Sequence, residues 1–114
     1  MNNIYTADDS DVTLTIIARD RDEATGIAAC ALDWSLDEVT VRLAEPVPGR
    51  RWLRYEYNTD ADNIVRELLA HGVDRGDIHI RAATDGYGDD MYSEVGATDA
   101  HWCRLPPQLL WGTA

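Results

Sequence analysis

The chain has 114 residues and a formal net charge of -11, from 21 Asp plus Glu against 10 basic residues, every one an arginine. A charge of that size repels nucleic acid and anionic membrane at long range, and it attracts basic partners and speeds their encounter. The length suits one domain, and an apolar fraction of 45% places the sequence among folded chains rather than disordered ones.

Residues 1–11 read as a polar N-terminal segment without the basic and apolar blocks of a signal peptide. No apolar run reaches the length of a membrane span, so the expectation is a cytoplasmic protein. Phenylalanine is absent, which leaves Trp34, Trp52, Trp102, Trp111 and the tyrosines to supply aromatic bulk. Cys30 and Cys103 are few for a disulfide scaffold; they could pair, but two buried free thiols are expected.

Val12 to Arg19 alternates, with Val12, Leu14, Ile16 and Ala18 on one side and Thr13, Thr15 and Arg19 on the other, which predicts a strand. Asp20 and Asp22 then offer helix caps. Ala24, Ile27, Ala28, Ala31 and Leu32 recur at helical steps, so Asp22 to Ser35 reads as a helix. Gly26 weakens that helix by about 1 kcal/mol and leaves a buried strand over Gly26 to Leu32 as the alternative.

Glu38 to Ala44 alternates again, with Val39, Val41 and Leu43 on one face. Glu45 to Gly49 is a proline- and glycine-punctuated turn. Arg51 to Tyr57 reads as a strand with Leu53, Tyr55 and Tyr57 aligned. Thr59 to His71 is the clearest helix, capped by Thr59 or Asp60, with an apolar stripe of Ile64, Val65, Leu68 and Leu69. Gly72 stands where a left-handed C-terminal cap belongs, followed by Val73 as its apolar contact. Asp77 to Ala83 is a further strand, with Ile78, Ile80 and Ala82 inward.

The order from Val12 to Ala83 is β-α-β-β-α-β. The pattern resembles the ferredoxin-like, split βαβ arrangement, an α+β fold with a four-stranded antiparallel sheet and two helices on one face. The expected organisation is a single acidic domain over residues 1–114, with residues 84–114 as a C-terminal extension. Within that extension, Met91 to Val95 would add an edge strand. Pro106-Pro107 would stop regular structure, and Gln108 to Trp111 would dock as an apolar tail.

Familiar chemistry is sparse. Asn58-Thr59-Asp60-Ala61-Asp62 spaces oxygens like the start of a calcium loop. Asn63 replaces the required glycine, however, and Leu69 the closing glutamate, so helix capping explains the run better. His101 and Cys103 are two ligands where zinc needs four, and no partner motif supports a Cys-His nucleophile. Tyr55 and Tyr57 invite comparison with base-stacking RNA sheets, but the basic collar is missing. The expectation is no catalytic residue, no metal and no cofactor.

Asp85-Gly86-Tyr87-Gly88-Asp89-Asp90 reads either as a solvated loop between two strands or as the candidate binding tip, with Tyr87 as aromatic anchor and the carboxylates facing Arg or Lys of a partner. Asp60, Asp62, Asp85, Asp89, Asp90 and Glu94 are expected to share one face with it. The function that follows is a non-enzymatic acidic inhibitor that binds a basic protein surface, most concretely as a DNA mimic. Its target would be a nucleic-acid-binding defence complex of the CRISPR or restriction type, whose channels are rich in Lys and Arg.

In size and charge the chain resembles small acidic inhibitors made by phages and mobile elements. An immunity protein against a basic nuclease toxin is the alternative. Arginine bias from GC-rich coding, and acidity for solubility in a salt-loving organism, are the readings without an inhibitory role. No direct nucleic-acid or membrane partner is expected, and the sequence leaves the oligomeric state open.

Overall fold

The computed structural model describes residues 2–8, 13–32, 39–84 and 90–113. Within them the chain forms β1 (Asn3–Asp8), β2 (Thr13–Ala18), α1 (Arg21–Leu32), β3 (Thr40–Leu43), β4 (Arg50–Tyr55), α2 (Asn58–Ala70), a 3-10 turn (Arg75–Asp77), β5 (His79–Thr84), β6 (Asp90–Thr98), α3 (Asp99–Trp102) and β7 (Gln108–Thr113). The protein is α+β, with every strand pairing antiparallel.

The strand order is β3-β1-β2-β7-β4-β6-β5. Two ladders, β3-β1-β2-β7 and β4-β6-β5, meet among the described residues at a single pair, Arg54 opposite Thr113. This differs from the ferredoxin-like arrangement, because none of the four strands read in Val12 to Ala83 pairs with another of the four. Their partners come from the segments read as a polar N-terminus and a C-terminal extension. Residues 3–8 form β1, β6 runs between β4 and β5, and the apolar tail becomes β7 in the interior of the sheet.

Alternation explains the layers. Along β2, Leu14, Ile16 and Ala18 pack with Tyr5, Ala7, Val41, Leu109 and the α1 residues Ala24 and Ala28. Ile17 faces the opposite way and joins Ile4, Leu53, Tyr55, Leu110, the α2 stripe, Trp102 and Leu105. The sheet thus carries α1 on one face and α2 with α3 on the other. Leu14, Ile16 and Ala18 keep the expected β2 pattern on the α1 side, Val12 lying outside the described residues, but Thr15 and Ile17, on the side read as polar, are fully buried as well.

Local sequence accounts for the helix ends. Asp20 caps α1: its Oδ1 accepts the Glu23 N–H at 2.8 Å. Glu23 accepts the Arg19 N–H at 2.8 Å and its guanidinium at 2.7 Å, a paired arrangement that lowers the Glu23 pKa. At the end of α2, Gly72 has φ +86°, Gly72 N–H donates to the Leu69 carbonyl, and Val73 N–H donates to that of Leu68. Val73 is buried beside Leu68, the apolar contact this cap requires.

The start of α2 departs from expectation. Tyr57, not Thr59 or Asp60, occupies the cap position, and its backbone carbonyl accepts from Asp60 and Ala61. β4 therefore ends at Tyr55, and Tyr57 is exposed rather than aligned in the strand. On β5, Ile80 turns to the α2 face but stays exposed, because this strand lies at the sheet edge beyond the helix's cover.

Two arginine networks hold the β4 ladder. Arg51 is buried and grips Asp99 with Nε at 2.7 Å and Nη2 at 3.1 Å, and it also donates to the Glu45 carbonyl at 2.7 Å. The Trp102 indole N–H donates to the Arg51 carbonyl, so one residue ties β4 to α3 and to the turn before it. On the sheet face away from α2, Arg81 stacks on Trp52 at 3.8 Å and Arg54 lies 5.1 Å from the centre of the Tyr92 ring.

Trp52 lies flat across Gly96, its pairing partner, and a Cβ there would come within 2.8 Å of three indole atoms. Gly96→Ala is expected to destabilise the fold by about 1–3 kcal/mol, the usual cost of overpacking. Adding Trp52→Ala removes the clash, so urea denaturation of the double-mutant cycle should show a favourable coupling.

Candidate functional site

Among the described residues, the acids expected on one face stand on different sides. Asp85, Tyr87 and Asp89, the centre of the proposed tip, lie outside the described residues. Asp90 opens β6, opposite Thr84. Glu94 sits on the sheet face away from α2, where Arg81 at 3.0 Å and Arg54 at 3.7 Å already neutralise it. It is therefore on the other side of the sheet from Asp60 and Asp62. Those two are exposed on α2 but stand two residues apart, about 200° around a helix, and so point to different sides.

A different constellation forms where α2 meets β7. Asp60, Asn63, Ile64 and Glu67 follow the i, i+3, i+4, i+7 rhythm and line one wall of a cleft of about 160 Å³. Gln108, Leu109, Leu110 and Trp111 form the other wall, and Tyr55 lines it from β4. Arg66 lies off this α2 face. Among the described residues, no ion pair engages Glu56, Asp60, Asp62 or Glu67. Glu67 accepts a hydrogen bond from the Gln108 side chain at 3.0 Å, which fixes the carboxylate at the cleft wall.

Trp111 owes its position to a bulge. Thr15 pairs with Leu110 and Leu14 with Thr113, so Trp111 and Gly112 have no opposite residue on β2. A bulge of this kind re-aims a side chain. Trp111 is 62% exposed, beside the acids of α2.

Tyr55 is 4% exposed, and its hydroxyl has no hydrogen-bond partner among the described residues. Burial raises the Tyr55 pKa, and the fields of Asp60 and then Glu67 raise it further. The phenol therefore stays neutral, next to two carboxylates that do not bond it. The Thr15 hydroxyl is likewise buried without a partner.

Asp60 and Glu67 were visible in the sequence at helical spacing. Trp111 and Gln108 were missed because the tail containing them carries no signal of a central strand with a bulge.

His101 closes the short α3 turn: its N–H and its Nδ1 both meet the Thr98 hydroxyl. The pKa of the half-buried Cys103 is raised by burial and then by Asp99, against a smaller opposing effect of Arg51, which disfavours the thiolate a nucleophile needs. Cys30 is exposed rather than buried, and both cysteines are free. Among the described residues no three His, Cys, Asp or Glu side chains group to hold a metal, and no helix is long and apolar enough to cross a membrane.

The chain matches no protein-family model, no curated protein and no solved structure.

The two orphaned hydroxyls set a stability test. Removing a buried, unpartnered polar atom while keeping shape is neutral to stabilising. Tyr55→Phe and Thr15→Val should each leave the folding free energy unchanged or raise it by about 1 kcal/mol in urea titrations.

Tyr55 also shapes the alkaline limb. Below about pH 10 the phenol is protonated in both states. Above that the unfolded chain releases a proton the folded chain keeps, so stability falls as pH rises toward the folded pKa. Relative to Tyr55→Phe, the wild type should lose about 1.4 kcal/mol more per pH unit in that window.

Proposed function

We propose that the protein is a non-enzymatic inhibitor that occupies a basic, nucleic-acid-binding protein surface, with the α2–β7 margin as its contact. The observation that carries this reading is the pairing of unneutralised carboxylates with exposed aromatics. Asp60 and Glu67 border Trp111, while Tyr57 at the start of α2 is 63% exposed. Tryptophan and tyrosine are enriched among the residues that carry binding energy at interfaces.

The rest of the charge supports the same assignment. Arg19, Arg42, Arg51, Arg54 and Arg81 each hold an acid of their own chain. That internal pairing leaves the α2 acids available to outside cations. A net charge of -11 accelerates approach to a Lys- or Arg-lined channel, as phosphates do for its natural occupant.

Capture from host lysate at low and at high salt tests this, with the captured protein then challenged with duplex DNA. A basic partner released by salt and by DNA is expected, and its identity separates a defence complex from a nuclease toxin. A partner that is not basic, or that ignores both salt and DNA, overturns the reading. Trp111→Ala should change stability by no more than about 0.5 kcal/mol, being exposed, yet weaken binding by about 2 kcal/mol. Asp60→Arg should slow association and flatten its salt dependence.

A further inference from the structure

We infer that the α2–β7 cleft is a receptor for one arginine side chain of the protein partner, a guanidinium site rather than a generally acidic patch. This inference rests on the function proposed above and names the group that its contact surface recognises.

Three features converge on that ligand. Asp60 and Glu67 stand two helical turns apart on the same face of α2, without a cationic partner among the described residues. Tyr55, 4% exposed, lines the same cleft, and its buried hydroxyl has no hydrogen-bond partner among the described residues. Trp111 adds an aromatic surface at the rim, held there by the β7 bulge.

A buried hydroxyl without a partner is costly, so its position calls for an N–H donor that arrives from outside. Burial, and after it the fields of Asp60 and Glu67, keeps the phenol neutral, and a neutral phenol oxygen can accept from such a donor.

The form of the donor follows from the arrangement. The acceptors diverge: carboxylates on the helix wall and a hydroxyl from the strand. A planar guanidinium presents five N–H donors in a fork and stacks on an aromatic ring, so it can serve them together. A lysine ammonium is a compact, strongly hydrated point charge and does not gain from the indole in the same way. The Gln108 amide already holds one oxygen of Glu67, which leaves the carboxylate oriented before the ligand arrives. Preorganisation of this kind lowers the cost of binding.

The test uses small probes and no partner. N-acetyl-L-arginine methylamide and its lysine counterpart are titrated into the uniformly 15N-labelled full chain, and amide, indole and side-chain amide shifts are followed. The expected result is a saturable response to the arginine probe confined to Asp60–Glu67, Gln108 and Trp111, about tenfold weaker for the lysine probe. Tyr55→Phe should weaken the arginine response about tenfold, the change expected when a hydrogen bond to a charged group is lost. Its melting temperature should be no lower than wild type, which separates lost recognition from lost folding. Glu67→Gln keeps the acceptor for Gln108, removes the charge and should weaken the response similarly.

A non-saturable response, an equal response to lysine, or an arginine response unchanged in Tyr55→Phe overturns the inference. The lysate experiment above fails separately. A salt-sensitive basic partner captured by a protein that gives no arginine response would leave the proposed function standing and remove this site.

Discussion

Burial of β2 on both faces is the condition the rest of the molecule is arranged to meet. Antiparallel sheets commonly leave one face to water, yet Leu14, Thr15, Ile16, Ile17 and Ala18 are all buried. One face needs α1, which meets it through the small side chains of Ala24 and Ala28, with Ile27 packed at the margin. The other face needs the broader layer of α2 and α3, with Leu68, Trp102 and Leu105 fully enclosed. Because Ile4 and Ile17 share that layer's core with Leu53 and Val95, the apolar contacts cross the seam that backbone pairing bridges only once. Side-chain packing, more than hydrogen bonding, unites the two ladders.

The same division into layers sorts the charges. Arginine serves the sheet: Arg51 anchors α3 to β4, while Arg54 and Arg81 share Glu94 between them and lie over Tyr92 and Trp52. With no helix over that face of the β4-β6-β5 ladder among the described residues, flat guanidinium groups take the place of apolar cover. Among the described residues the acids of α2 have no such internal partners. A strongly acidic chain has thus consumed much of its basic complement in holding itself together, and the charge it offers outward is more one-sided than the composition suggests.

How much of this was legible in the sequence varies with the kind of signal. The α2 stripe and its Gly72-Val73 ending were plain, because helix period and cap chemistry are local. β2, β4 and β5 were found from alternation, with β4 read two residues too long because Tyr57 continues the rhythm while its backbone turns to start the helix. The topology was misread for a physical reason. Strand pairing is a long-range choice, and Asn3–Asp8 and Gln108–Thr113 were passed over as polar or irregular despite supplying the neighbours of β2. The site was half legible. Carboxylates at i and i+7 on α2 could be read, whereas a buried tyrosine hydroxyl and a tryptophan displaced by a bulge exist only once β4 and β7 are placed together. Glu94 was misassigned because alternation gives the side of a strand, not which side of the finished sheet the helices will cover.

Chain order and sheet order disagree most at β7, and synthesis makes that disagreement consequential. The ladders β1-β2-β3 and β4-β6-β5 can each pair as soon as their own residues leave the ribosome, since chains emerge N-terminus first. Until Gln108–Thr113 follow, β2 and β4 both display open edges, and the apolar faces meant for one shared core stay divided. Such edges are templates for pairing with other chains. Natural sheets often guard their edges with lysine, which this chain lacks. Its guard is global: nascent copies carry a large negative charge wherever they meet, and mutual repulsion holds them apart for the interval in which the sheet waits for its final strand.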